Sequence, residues 1–195
     1  EAISLDHEGN IVIGAFGNNG NARRDLCLYI LAEPNPYDRS KTRILGQIRF
    51  QYPDQKVYPP KELNFDAEAL FCADNTYFIL TKNRGDNQTK LYTFGDIDPT
   101  GLNTLILKER FDIDGLVTGA DYSEEKSLLC VLTYHYLWLF ERSGEKFLGE
   151  SFYKYKLEGT KQCEAVCFDG EQLLITNEQG ELFHLSIDEI MNSTE

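Results

Sequence analysis

The chain has 195 residues, 42% hydrophobic and 12% aromatic, enough for one domain with a sizeable core. Nineteen Lys and Arg against 32 Asp and Glu give a net charge of −13. With no basic cluster to displace counterions, this balance excludes nucleic acid as a partner, and no apolar run reaches the roughly 18 residues that a membrane span needs.

Taken in order, the residues predict short strands separated by Gly, Asn, Asp or charged turns. The first unit has strands at 2–5, 11–16, 26–31 and 43–52. Its polar loop 17–25 contains Asn18 and Asn19, and a second loop carries Pro34 and Pro36. The second unit has strands at 67–72, 77–81, 90–94 and 104–111, with Lys82, Asn83 and Arg84 in the loop after its second strand. The third has strands at 117–122, 127–133, 136–141 and 150–156. The fourth has 164–168, 172–176 and 181–187, with Asn177 and Glu178 in its second turn. Only the tail reads as helical, over 188–191. The expected organisation is one domain over 1–187 and a tail over 188–195.

The units are copies of one another. Asp66-Ala67-Glu68-Ala69-Leu70-Phe71-Cys72 recurs as Gln162-Cys163-Glu164-Ala165-Val166-Cys167-Phe168. Thr118-Gly119-Ala120-Asp121 is a degenerate copy, and Glu1-Ala2-Ile3 a shortened one. With Gly119 in the Glu position, the anchors Glu1, Glu68, Gly119 and Glu164 fall 67, 51 and 45 residues apart. Four-stranded propeller blades repeat at about 40–50 residues. The expected fold is therefore all-β, a β-propeller with four blade repeats visible. Because the fourth unit lacks a fourth strand, the full ring is expected to have five or six blades, with an N-terminal part missing from this chain.

In a propeller the first strand of each blade lines the axis. Glu1, Asp66, Glu68 and Glu164 are then expected at one mouth of a central channel, with Thr118 and Gly119 filling the remaining sector. Asn18, Asn19, Lys82, Asn83, Arg84, Asn177 and Glu178 are expected around them, with Glu68, Glu164, Asn83 and Asn177 facing one cavity. Carboxylates near one axis repel, and they find relief in a hard cation, a raised pKa or an Arg partner. Calcium suits such donors, and Glu68 and Glu164 are the metal-ligand candidates, although no contiguous calcium loop is present. Three accounts stay open: a water-filled structural channel, a cation site, or an organic ligand or catalytic site. In the last, Glu68 and Glu164 would be acid and base and Lys82 or Arg84 would hold an anion. No G-x-S-x-G or Cys/His pairing indicates a nucleophile. The five cysteines read as small buried hydrophobes in apolar strands.

The Glu-Ala repeats, Gly17-Asn18-Asn19, Thr81-Lys82-Asn83-Arg84, Thr118-Gly119-Ala120-Asp121 and Ile175-Thr176-Asn177-Glu178 resemble secreted bacterial β-propellers. The likeness is to the SdiA-regulated and phytase-esterase-like groups and spans essentially the whole chain. It implies an extracytoplasmic location, secreted or periplasmic. It also implies an upstream blade ending in an Asp-Trp-Glu-type motif, of which Glu1 would be the last letter. The functional expectation is a non-enzymatic binding or interaction propeller taking a small molecule, an ion or a protein at its loop face. The alternative is a hydrolase of phosphate esters or glycosides.

Overall fold

The computed structural model describes residues 1–35, 37 and 41–193. Pro36 of the second predicted loop, and Thr194 and Glu195 of the tail, lie outside the described residues. Among these described residues sixteen strands form four sheets. Blade 1 is β1 (Ala2–Leu5), β2 (Ile11–Ala15), β3 (Cys27–Leu31) and β4 (Ile44–Gln51). Blade 2 is β5 (Ala67–Ala73), β6 (Thr76–Thr81), β7 (Gln88–Thr93) and β9 (Ile106–Asp112). Blade 3 is β10 (Val117–Ser123), β11 (Leu128–Thr133), β12 (Tyr136–Glu141) and β13 (Phe152–Lys156). Blade 4 is β14 (Cys163–Asp169), β15 (Gln172–Asn177) and β16 (Leu182–Ser186). Within each blade successive strands pair antiparallel, as hairpin connections require. The architecture is the all-β propeller arrangement expected from the repeats, with the four expected blades among the described residues.

The predicted strand 104–111 is divided. β8 (Leu102–Thr104) lies parallel to Arg49–Gln51 on the outer edge of blade 1. Leu105 then buries its side chain between blades 1 and 2, and β9 returns to blade 2. The tail helix α1 (Ile187–Asn192) starts one residue before the predicted 188 and packs Ile187 and Ile190 against blades 3 and 4.

Strand alternation explains how the blades stack. On β6, Phe78 and Leu80 face blade 3 while Ile79 faces blade 1. On β11, Leu129 and Val131 face blade 2, whereas Leu128, Cys130 and Leu132 face blade 4. Strands covered on both faces read as continuous apolar runs, which is why β11 is buried throughout. The aromatic rings concentrate between blades 2 and 3, where Phe71, Phe78 and Phe147 meet at centroid separations of 4.7–5.3 Å. Among the described residues blade 4 is packed on one face. Val166, Leu173 and Ile175 pack on blade 3, while Leu182 on the other face is 55% exposed.

All five cysteines are free thiols. Cys27, Cys130 and Cys163 are buried and Cys72 is partly buried, but Cys167 is exposed. It departs from the expected burial because it lies on the uncovered face of blade 4.

Candidate functional site

Three of the four innermost strands carry the same irregularity. Ala67 pairs with Thr81 and Ala69 with Leu80, so Glu68 is an extra residue with no partner opposite. The same shift leaves Thr118 extra on β10 and Glu164 extra on β14. Each is a β-bulge, a device that re-aims one side chain and bends the strand. The register also corrects the repeat alignment. The residue equivalent to Glu68 and Glu164 is Thr118, whereas Gly119 matches Ala69 and Ala165.

The glycine after the blade 3 bulge has a packing cause. A Cβ at Gly119 would lie 3.3 Å from the Glu164 carbonyl oxygen and 3.5 Å from Ala165 Cα. The inner strands of blades 3 and 4 approach this closely at the axis, which suits the glycine of the Thr-Gly pair in blade 3.

Between the inner strands lies a cavity of about 310 Å³. Glu1, Glu68, Thr118 and Glu164 contribute its polar lining; Leu70, Val166, Leu174 and Leu182 contribute apolar wall. On the blade 2 side the carboxylates are compensated. Lys82 Nζ donates to Glu68 Oε2 at 2.5 Å, with the side chains only 3% and 12% exposed. Arg84 Nε donates to Asp66 Oδ2 at 2.8 Å, and its Nη2 lies 3.7 Å from Glu68 Oε1. Arg84 Nη2 also donates to Asn19 Oδ1 at 2.6 Å. The Lys82 ammonium sits 4.8 Å from the centre of the Tyr134 ring. Burial pushes the Glu68 carboxyl above the ordinary glutamate range, against the pull of Lys82 and with help from the negative charges of Asp66 and Glu164. Burial acts to lower Lys82, but its bonds to Glu68 and Tyr134 outweigh that and raise it, so the ammonium stays charged.

On the blade 4 side no such compensation exists among the described residues. Glu164 is half-buried and accepts a hydrogen bond from Gln162 Nε2 at 2.6 Å, which is shared with Glu178 Oε1 at 3.1 Å. No ion pair reaches Glu164 among the described residues.

Of the eleven residues singled out from the sequence, Glu1, Glu68 and Glu164 line the cavity. Asp66, Lys82, Arg84 and Asn19 form the network behind Glu68, and exposed Glu178 stands behind Glu164. Asn18, Asn83 and Asn177 are buried elsewhere as fasteners. Asn18 accepts through Oδ1 from Arg23 N and donates through Nδ2 to Phe65 O, while its backbone N–H donates to Asp66 Oδ1 at 2.7 Å. Asn83 Nδ2 donates to Gly115 O, tying blade 2 to the start of blade 3. Asn177 Nδ2 donates to Thr160 O, and its Oδ1 accepts from Gln179 N and Glu181 N. The expectation that Asn83 and Asn177 share the cavity with the two Glu residues therefore gives way to a backbone-capping role. Tyr134 and the apolar wall were not legible as part of the site. Leu174 and Leu182 alternate like core positions, and nothing in that pattern marks them as cavity lining.

Among the described residues no three His, Cys, Asp or Glu side chains gather closely enough to hold a metal ion. A second cavity of about 430 Å³ lies at the rim between β13 and β16. Lys154 at its wall is paired with Asp114 at 2.9 Å, and the carboxylate in its lining is Glu158 rather than Glu1, Glu68 or Glu164. Among the described residues no helix is long and apolar enough to cross a membrane.

No protein family and no curated protein matches the chain. Solved structures do. The chain is similar to a nidogen/laminin complex, with a TM-score of 0.52, 18% identity, and coverage of 96% of this chain and 59% of that one. It is similar to the PQQ-bound aldose sugar dehydrogenase of Streptomyces coelicolor, with a TM-score of 0.52, 12% identity, and coverage of 94% and 60%. The chain thus spans about three-fifths of the length of these structures. At such identities the likeness reports on the backbone, and it agrees with the strand order above: this chain is a β-propeller.

Proposed function

We propose that the protein is a non-enzymatic binding propeller, acting outside the cytoplasm, whose ligand occupies the cavity between the inner strands at the mouth of a central channel. The supporting observation is the repeated bulge, which turns Glu68 and Glu164 toward one cavity beside an apolar wall. Pockets of this kind, apolar with a few convergent polar groups, are the usual form of small-molecule sites. The location rests on the resemblance of the Glu-Ala repeats to secreted bacterial propellers of the SdiA-regulated and phytase-esterase-like groups. A screen of small fragments by ligand-observed NMR tests the site. Hits are expected with the unaltered protein and should vanish when Thr176→Trp fills the cavity. Hits that all survive the block, or a screen without hits, refute this reading.

A second reading is a hydrolase of phosphate esters or glycosides, because two carboxylates share the cavity and burial raises one of them. The Lys82 contact weakens it, since it holds Glu68 as a carboxylate. Turnover on a panel of such substrates, lost in Glu164→Gln, would select this reading over the first.

A further inference from the structure

The polar loop after β2 holds the chain's single Asn-Gly pair, Asn19-Gly20. These two residues form the corner of a turn that Asn21 N closes by donating to Asn18 O at 2.6 Å. The turn is pinned on both sides. Asn18 is buried and bonded to Asp66 and Phe65, and Asn21 is buried and bonded to Gln55 and Phe65. Asn19 and Gly20 between them are exposed. An asparagine is open to one intramolecular reaction, attack by the next residue's backbone nitrogen on its side-chain amide carbon. A side chain on that next residue crowds the approach, and glycine has none. A Cβ at Gly20 would meet no atom within 4 Å, so the attack and the ring it forms have room. The Gly20 N–H donates no hydrogen bond among the described residues, which leaves its proton accessible to base. Asn75 and Asn87 are exposed too, but Thr76 and Gln88 follow them.

A second group favours the reaction at Asn19. Arg84 Nη2 donates to Asn19 Oδ1 at 2.6 Å. Negative charge develops on that oxygen when the nitrogen adds to the carbon, and a cationic donor already aimed there stabilises it. We infer that Asn19-Gly20 is a site of spontaneous deamidation, with Arg84 as the group that stabilises the developing charge. Gly20 N, deprotonated by hydroxide, forms a bond to Asn19 Cγ. The Cγ–Nδ2 bond breaks, the departing nitrogen takes a proton from water, and ammonia leaves behind a cyclic imide. Water then opens the ring on one side to give aspartate at position 19, or on the other to give its isoaspartyl isomer. Amide and water become carboxylate and ammonia, with no change of oxidation state. The product places a third carboxylate on a guanidinium that already holds Asp66 at 2.8 Å and lies 3.7 Å from Glu68. The added charge therefore reaches the edge of the candidate site, although the reaction needs nothing from an occupant of the cavity.

Peptide mapping by mass spectrometry, after the folded protein has stood in mildly alkaline buffer, tests this. Asn19 should gain the mass of an amide-to-acid exchange ahead of Asn75 and Asn87. Gly20→Ala, which the open turn accommodates, should all but stop the conversion. Arg84→Lys keeps a cation beside Asp66 but gives up the planar fork that reaches Asp66 and Asn19 together. It should slow the conversion about fivefold, the share of one net hydrogen bond. Thermal unfolding of each variant establishes that folded proteins are being compared. An Asn19 that stays intact in the folded protein while the urea-unfolded chain converts it overturns the inference. Conversion that is equally fast in Gly20→Ala overturns it as well, and an equal or higher rate in folded Arg84→Lys removes the role assigned to Arg84.

Discussion

Blades 2 and 4 begin with the same motif and the same bulge, yet they set their glutamates in opposite electrostatic situations. Glu68 is closed in by Lys82, Arg84 and the ring of Tyr134, and Asp66 beside it is only 1% exposed. Glu164 faces the cavity with an amide beside it and no ion pair among the described residues. The difference lies in the loop after the second strand. Blade 2 supplies Lys82-Asn83-Arg84 there, while blade 4 supplies Asn177-Glu178-Gln179. One position of a repeat can thus be structural in one copy and available in another, according to the charges that its neighbouring turn delivers.

The largest expected effect tests the closed side. Lys82→Met leaves Glu68 buried against Asp66 without its main partner, and breaking a buried pair in this way costs about 3–5 kcal/mol. Urea unfolding should show that loss, and the double variant Lys82→Met/Glu68→Leu should recover most of it. A single-variant loss under about 1 kcal/mol would mean that the pair is screened by water and that the two blades do not differ as described.

Gly119 probes the contact between blades 3 and 4. Gly119→Val drives a branched side chain against the Glu164 carbonyl, and overpacking of this kind costs about 1–3 kcal/mol. Thermal unfolding at the pH of maximum stability gives the measurement. A neutral result would mean that the inner strands separate easily and that their small residues have another cause.

The pH dependence separates the two glutamates more finely. Glu68 titrates higher in the folded than in the unfolded protein, so folding binds its proton more tightly. Its ionised form therefore opposes folding at neutral pH, and that opposition is relieved as pH falls through the folded pKa. The stability of the unaltered protein minus that of Glu68→Gln should accordingly rise on acidification from neutral pH into the glutamate range. A difference that stays flat, or falls, contradicts the burial assigned to Glu68. The smallest effect belongs to the open side. Glu164→Gln should change stability by no more than about 0.5 kcal/mol, as for substitutions away from buried charge networks. A loss above 2 kcal/mol would show that Glu164 holds the fold together as Glu68 does.

Much of this was legible in the sequence. Period-two runs bounded by Gly, Asn and Asp located nearly every strand, and the recurring Glu-Ala located the axis. The bulge was not legible. An alignment by Ala and Glu puts Gly119 under Glu68, and only backbone pairing shows that Thr118 is the extra residue. Strand β8 was hidden because Thr104 to Phe111 reads as one run, and the crossing to blade 1 depends on where Leu105 is buried. The fates of Asn18, Asn83 and Asn177 were also hidden. An Asn in a turn is equally suited to a ligand or to a backbone group, and tertiary placement decides between them.

Strand β8 has a consequence for how the molecule comes apart. It belongs in sequence to the second blade but completes the first, with its neighbours Arg49–Gln51 running parallel to it. Arg49 Nη2 donates across the same seam to Thr100 O, and Asn103 Nδ2 donates to Arg49 O. Blade 1 cannot peel away from the segment that joins β7 to β9 without breaking the ladder between β4 and β8. The first two blades therefore form one cooperative unit in which amide protons exchange together.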